Sequence, residues 1–255
     1  MIISNGRRFS DGIAGVVRNY DDQAVHEFYV GKRKPERVCE IIVHESVTRT
    51  YDDTIRVLSS KKNKSGKPYT LGVHLLIDGD GNITQHGDLA TSWQQHFGAP
   101  HNEASVGVEL INPYEPRHLR EDLPWKESID APWAHGGSYV LPTFAQAEAF
   151  AQLLDWLITQ SDLGFTVPRV WHGVMDGDFH LQKVRGLEGR VQGGIYSHQQ
   201  IGRHADGSWP LLYAYLRLER KIKAGPAYEI AAVLAMGSRG VVDVEHAPEI
   251  AACMF

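Results

Sequence analysis

Two short segments hold the residue types best suited to chemistry: Ile41-Ile42-Val43-His44-Glu45-Ser46 and His198-Gln199-Gln200-Ile201-Gly202-Arg203-His204-Ala205-Asp206-Gly207. The first puts an imidazole at the end of a β-branched run, where rigid backbone can hold a ligand in place. The second spaces His, His and Asp at n, n+6 and n+8, with Gly202 and Gly207 allowing the loop to fold back. Together they can surround one ion. Zinc accepts nitrogen and carboxylate oxygen in tetrahedral geometry, and a catalytic zinc keeps one position for water. Two neutral imidazoles and one carboxylate leave a charge of about +1 on the unit, which lowers the pKa of such a water toward ~7. His172 and His180 repeat the n, n+8 spacing and are the internal rivals for the metal. His74, inside an apolar run, reads instead as a hydrogen-bonded core residue.

The elements that must position these groups follow from periodicity. Val38 to Val43 reads as a buried strand ending at His44. Ser105 to Ile111 alternates, so that Val106, Val108 and Leu110 share one face and Glu109 takes the other; a carboxylate is thus carried on a strand. Gly72 to Ile77, Asp78 to Asn82 and Ile83-Thr84 predict a hairpin. The turn reading of Asp78-Gly79-Asp80-Gly81-Asn82 is preferred to a calcium loop, because the closing Glu and flanking helices are missing. Asp53 to Leu58 predicts a short helix. Thr143 opens the clearest helix, with Gln146 completing a capping-box pattern and Ala147, Phe150, Ala151, Leu154, Leu157 and Ile158 at helical spacing.

Less regular stretches separate these elements. Residues 112–142, rich in proline and with Trp125 and Trp133, read as a long surface excursion. Lys32-Arg33-Lys34 reads as solvated surface. Thr166 to Trp171 predicts another strand and residues 172–194 a loop. Pro210 to Lys223 and Tyr228 to Met236 predict helices broken at Ala224-Gly225-Pro226. The fold class is α/β, a mixed central sheet flanked by helices with a small helical C-terminal tail. The expected organisation is an N-terminal extension over 1–37, a main domain over 38–217 and a helical appendage over 218–255.

Composition narrows the function. Across 255 residues, 42% are hydrophobic and 22% charged, which suits a globular protein with a substantial core. Asp plus Glu number 31 against 26 Lys plus Arg, a net charge of −5 that argues against general nucleic-acid binding. Cys39 and Cys253 are too few for a multi-bridge framework. No apolar run approaches the ~18 residues of a membrane span. The Met1-Ile2-Ile3-Ser4 start lacks the layout of a secretory signal, so a cytoplasmic protein, or one released or delivered to its target, is expected.

The order of His44-Glu45-Ser46, Gly72 to Gly81, Ser105 to Leu110, the Thr143 helix and His198 to Asp206 resembles the zinc-dependent N-acetylmuramoyl-L-alanine amidases. This amidase-2 group includes phage endolysins and shares its fold with peptidoglycan recognition proteins. The resemblance covers roughly residues 38–216 and implies Zn2+ as cofactor, peptidoglycan or a muropeptide as partner, and cell-wall hydrolysis as activity. It further implies His44, His198 and Asp206 as metal ligands, Glu109 as proton shuttle and His204 as the group that steadies the oxyanion. Trp93, His96, His101 and Asn102 fall where the family builds its cleft wall; Trp93 could stack on a sugar ring or pack in the core, and His96 and Asn102 are further candidates to bind substrate. The chain departs from the family pattern at Val73, where many members have Tyr, at Asp206-Gly207-Ser208, where Asp-Pro-Gly is usual, and by an insertion over His172 to Gly194. A non-catalytic peptidoglycan-binding module and a cytosolic muropeptide-recycling amidase are the alternative readings.

Overall fold

The computed structural model describes the whole chain apart from residues 11, 14–16, 29, 63–64, 67–68, 126, 203–205 and 255. Its centre is built on two β-branched runs. Glu40–Glu45 and Ser105–Leu110 pair in parallel along their whole lengths, with His44 opposite Glu109. Gly194–Ser197 adds a parallel strand on the outer side of Glu40–Glu45, with Ser197 opposite Val43. On the other side, Leu75–Ile77 runs parallel to Ser105–Leu110 and turns into antiparallel Ile83–Gln85, which pairs in parallel with Val17–Arg18. The result is a mixed six-stranded sheet. In the turn, Asp78 Oδ1 accepts the N–H groups of Asp80 and Asn82, each at 2.9 Å, so the expected hairpin forms and Asp78 is committed to it.

Period-two alternation divides the two faces. Ile41, Val43, Val106, Val108 and Leu110 are fully buried in the main core, together with Ala147, Phe150, Leu154 and Leu157 of the Phe144–Thr159 helix. On the opposite face, Ile42, Tyr196 and Ile201 form a smaller cluster with Phe97 packed against it. Thr143 Oγ1 caps the helix by accepting the Gln146 N–H at 3.1 Å. The Gln146 side chain does not reach back to complete the box. It donates instead to the carbonyls of Ile77 at 2.9 Å and Ile111 at 3.1 Å, tying the helix start to the sheet.

Several local expectations change. Residues 112–142 do not lie wholly on the surface: Ser128–Asp130 and Ser138–Val140 form a hairpin, and Trp125, Trp133 and Tyr139 are buried. Arg33 is buried rather than solvated. Its guanidinium donates to the Ser105 carbonyl at 2.6 Å and the Ala90 carbonyl at 3.3 Å, so backbone acceptors replace its water shell. Thr166 to Trp171 forms no strand but only a parallel bridge from Trp171 to Ile195; Pro168 removes a ladder donor from this stretch. Within 172–194, Val174–Met175 pairs with Asp178–His180, and that strand pairs with Val241–Asp243 from the C-terminal region.

The helical break also moves. One helix spans Ser208–Leu218, the chain turns at Lys221 with φ +57°, and Ala224-Gly225-Pro226 opens the next helix, Ala224–Ala235. Proline in a first helical turn has no intrahelical N–H to lose. A last helix, Ala247–Met254, completes the tail. At the other end, Ile2–Ser4 pairs with Arg7–Phe9, and Ile2 is part of the main core. Among the described residues, no helix is long and apolar enough to cross a membrane.

Candidate metal centre and active site

Register places the site. His44 and Glu109 are partners on adjacent parallel strands, and Ser197 faces Val43, which brings the next residue, His198, level with His44. Three polar side chains therefore gather at the carboxyl edge of three parallel strands, the edge where open α/β sheets bind ligands. The insertion over 172–194 leaves this intact, because Trp171 bridges Ile195 and the chain re-enters the sheet beside the point where it left. Ser197 then starts the short helix His198–Ile201 with a full capping box: its hydroxyl accepts the Gln200 N–H at 3.2 Å, and Gln200 Oε1 accepts the Ser197 N–H at 3.0 Å.

Asp206 returns to the same edge. The Gln199 N–H donates to the Asp206 carbonyl at 3.2 Å, and the next N–H, that of Gly207, donates to Glu45 Oε2 at 2.8 Å. Gly207 has φ +78°, and a Cβ there would lie 2.2 Å from the Val43 carbonyl oxygen. Only glycine allows this close approach. The Ser197 and Ser208 hydroxyls, 2.7 Å apart, join the two segments again. Without the proline usual at position 207, the loop is held by these contacts.

His44 Nδ1 lies 3.1 Å from His198 Nδ1, and His198 Nδ1 lies 3.2 Å from Asp206 Oδ1. Ligand atoms of the three residues all fall within 4.8 Å of one another, the one such group of three His, Cys, Asp or Glu residues found among the described residues. Asp206 Oδ1 is buried and has no hydrogen-bond partner among the described residues, since the approach from His198 lacks hydrogen-bond geometry. Zinc bonds of about 2.0–2.2 Å in a tetrahedral set hold neighbouring ligand atoms roughly 3.3–3.5 Å apart. The two spacings through His198 are close to this, and an orphaned buried carboxylate oxygen suits a cation. The residues present fit zinc.

Glu109 shares the cavity of about 180 Å³ that His44, His198 and Asp206 line. Burial, helped by Asp206, pushes its carboxyl up to about 8, with Lys61 opposing. Val73, where many family members have Tyr, lines the cavity with an apolar side chain. Glu45, which sequence reasoning missed, is buried behind His44 and accepts hydrogen bonds from Tyr139 Oη at 2.5 Å, Asn112 Nδ2 at 2.7 Å and the Gly207 N–H. Burial raises it to about 7, although these three donors work against the rise. A signal was available: Glu45 continues the alternation of Ile41 and Val43 toward the core, and a carboxylate there needs donors.

The other candidates are distributed around this centre. His204 lies outside the described residues. His96 lines the same cavity, with Nδ1 2.9 Å from His44 Nε2 and Nε2 3.0 Å from Ser105 Oγ. Asn102 Oδ1 accepts the N–H groups of His96, Phe97 and Gly98 at 2.9 to 3.2 Å, so it shapes the loop. Trp93, half-buried, and Asn102 line a neighbouring cavity of about 610 Å³ that meets the first at Gln95. His101 is fully buried against Glu40 at 2.8 Å. His74 is also buried: its Nδ1 accepts the Gly107 N–H at 3.0 Å and its Nε2 faces the Ser92 carbonyl at 3.0 Å, the environment of a neutral core histidine. His172 stacks on Tyr196 and places Nε2 2.6 Å from the Gly193 carbonyl.

The sequence pattern of the N-acetylmuramoyl-L-alanine amidase family, amidase-2, matches residues 34–207, a span from just before the His44 strand to just past Asp206. The chain belongs to this family. Solved structures similar to this amidase-family chain include the endolysin N-acetylmuramoyl-L-alanine amidase LysCS from Clostridium intestinale URNW, at 11% identity over 82% of this chain and 99% of that one, with a TM-score of 0.49. Drosophila PGRP-LB is similar at 15% identity over 83% and 98% of the two chains, with a TM-score of 0.47. Apis mellifera PGRP-SA is similar at 13% identity over 79% and 94%, with a TM-score of 0.44. No curated protein sequence matches this amidase-family chain at a significant level.

Proposed function

We propose that this chain hydrolyses the amide bond between the lactyl group of N-acetylmuramic acid and L-alanine in peptidoglycan, with zinc held by His44, His198 and Asp206. The observation that supports it best is the convergence of those three ligand atoms beside a buried Glu109, within the segment that matches the amidase family. Zinc bound there would polarise the scissile carbonyl and acidify the attacking water. Glu109 accepts the proton from that water and returns it to the departing amine. Val73 offers no hydroxyl to share the transfer, so Glu109 bears more of it. His204, two residues before Asp206, is assigned the stabilisation of the oxyanion from its family position, in its protonated form.

In this reading residues 38–217 form the catalytic unit, and the glycan lies along the wall formed by Trp93, His96 and Asn102. The test is digestion of intact sacculi and of purified muropeptides by the zinc-loaded chain, with products identified by mass. Free stem peptide beginning at L-alanine is the expected product. Activity on sacculi points to wall lysis, and activity on soluble muropeptides alone points to recycling. Binding to sacculi without peptide release would overturn the hydrolase reading and leave a wall-binding module.

A further inference from the structure

The geometry points to His96 as a positioning residue that fixes the tautomer and orientation of His44 through a one-way hydrogen-bond chain ending on the backbone. This inference rests on the metal centre proposed above and concerns how that centre is held.

The chain has four members. His44 Nε2 lies 2.9 Å from His96 Nδ1, His96 Nε2 lies 3.0 Å from Ser105 Oγ, and Ser105 Oγ donates to the His101 carbonyl at 2.7 Å. A histidine or a hydroxyl can reverse its role, but a carbonyl oxygen only accepts. The single Ser105 proton therefore goes to His101, and Ser105 Oγ must accept from His96. His96 then carries its proton on Nε2 and presents a lone pair at Nδ1. That lone pair takes the Nε2–H of His44, which leaves His44 Nδ1 as the lone-pair nitrogen, and this is the atom that faces His198 Nδ1 at 3.1 Å. One backbone carbonyl thus sets the direction of the whole chain.

Packing holds the intermediate ring in place. Gly107 lies beneath the His96 imidazole, and a Cβ there would come within 2.9 Å of two ring carbons. Asn102 Oδ1 accepts the His96 N–H at 3.2 Å and fixes its backbone. Ser105, Gly107 and Glu109 alternate along one face of the same strand, so the support for His44 and the proposed proton shuttle share one rigid element. Metal-bound histidines generally donate their outer N–H to such a partner, and loss of that partner lowers metal affinity by about 10–100-fold.

Two measurements on the full chain test this. In long-range proton–nitrogen spectra of the zinc-loaded protein, His96 should appear as the neutral Nε2–H tautomer and His44 should keep its proton on Nε2. A proton on His96 Nδ1 would overturn the proposal, and this readout does not depend on any variant folding. In zinc competition against a chromophoric chelator, His96→Phe should keep one-to-one stoichiometry but bind about 10–100-fold more weakly. Ser105→Ala should lose less, and His96→Gln, which can both accept and donate, should recover most of the affinity. Unchanged affinity in both His96→Phe and Ser105→Ala would overturn the role of His96. The centre itself would still stand if His44→Ala abolished zinc binding. Wild-type protein that binds no zinc would overturn the centre, and this inference with it.

Discussion

Glu45 accepts the backbone N–H of Gly207 at 2.8 Å, which ties the residue after one proposed metal ligand to the residue after another across 162 positions of sequence. The bond connects the end of the His44 strand to the loop that returns Asp206. Tyr139 and Asn112 complete the set of donors on the same carboxylate.

Glu45→Gln should therefore weaken both fold and centre. An amide puts a donor where three donors converge, and an unmet buried group costs about 1–3 kcal/mol. Urea unfolding should show a loss of that size, and zinc affinity should fall because Asp206 is less well held. Wild-type stability and affinity together would show that the Glu45 contacts contribute nothing net.

Glu109→Gln keeps the shape of the side chain and removes its proton chemistry. Zinc content should stay at the wild-type level while stem-peptide release slows by about 10²–10⁴-fold, the scale of general acid–base help. Near-normal turnover in this variant would remove Glu109 from the mechanism.

Removal of metal should lower thermal stability, because a ligand that binds only the folded state stabilises by about 2.7 kcal/mol at a concentration 100 times its Kd. Chelator should lower the wild-type melting temperature and added zinc should restore it. His198→Ala should melt at one temperature with or without zinc. A zinc-dependent shift in that variant would move the metal to other residues.

Stability should fall on mild acidification. Burial holds His86 down at about 4 and His74 well below its ordinary value, while both titrate near 6.5 once unfolded. Between pH 6.5 and about 4 the unfolded chain binds protons that the folded chain refuses, so the stabilisation is complete above 6.5 and is lost as pH drops through that window. For His86 the difference is worth up to about 3 kcal/mol. Urea midpoints from pH 7.5 to 4.5 should show the decline, and His86→Gln should reduce the slope by about one proton. An identical slope would show that His86 is not buried in neutral form.

Gly207→Ala should be among the most damaging small substitutions near the site. Left-handed backbone and a Cβ 2.2 Å from the Val43 carbonyl oxygen leave the methyl no room without moving the loop. Both the melting temperature and zinc affinity should drop. A variant with wild-type values for both would mean that the loop is more pliant than this close packing implies.

The strands of His44 and Glu109 and the Phe144–Thr159 helix were legible because each is written in local periodicity. The level of His198 beside His44 was not. It comes from the register of Ser197 against Val43, a pairing that no local signal encodes and that the 172–194 insertion obscured. Arg33 misled for a similar reason: flanked by Lys32 and Lys34 it looks solvated, and only distant backbone carbonyls, among them those of Leu89, Ala90 and Ser105, explain its burial. Trp133 and Tyr139 sat in a proline-rich stretch with no period, so their place in the core depended on tertiary contact alone. Val-His-Glu-Ser showed the imidazole plainly, while the partners of its glutamate lie at 112, 139 and 207.

The Trp171 to Ile195 bridge has an architectural consequence. Because departure and return meet at a single rung, lengthening the intervening excursion adds only a slowly growing closure entropy, about 0.6 kcal/mol per doubling. Residues can therefore be appended at its exposed turn over 188–192, new surface recruited and selectivity altered, while the buried Phe179 and Leu181 and the distances among reactive atoms stay in place.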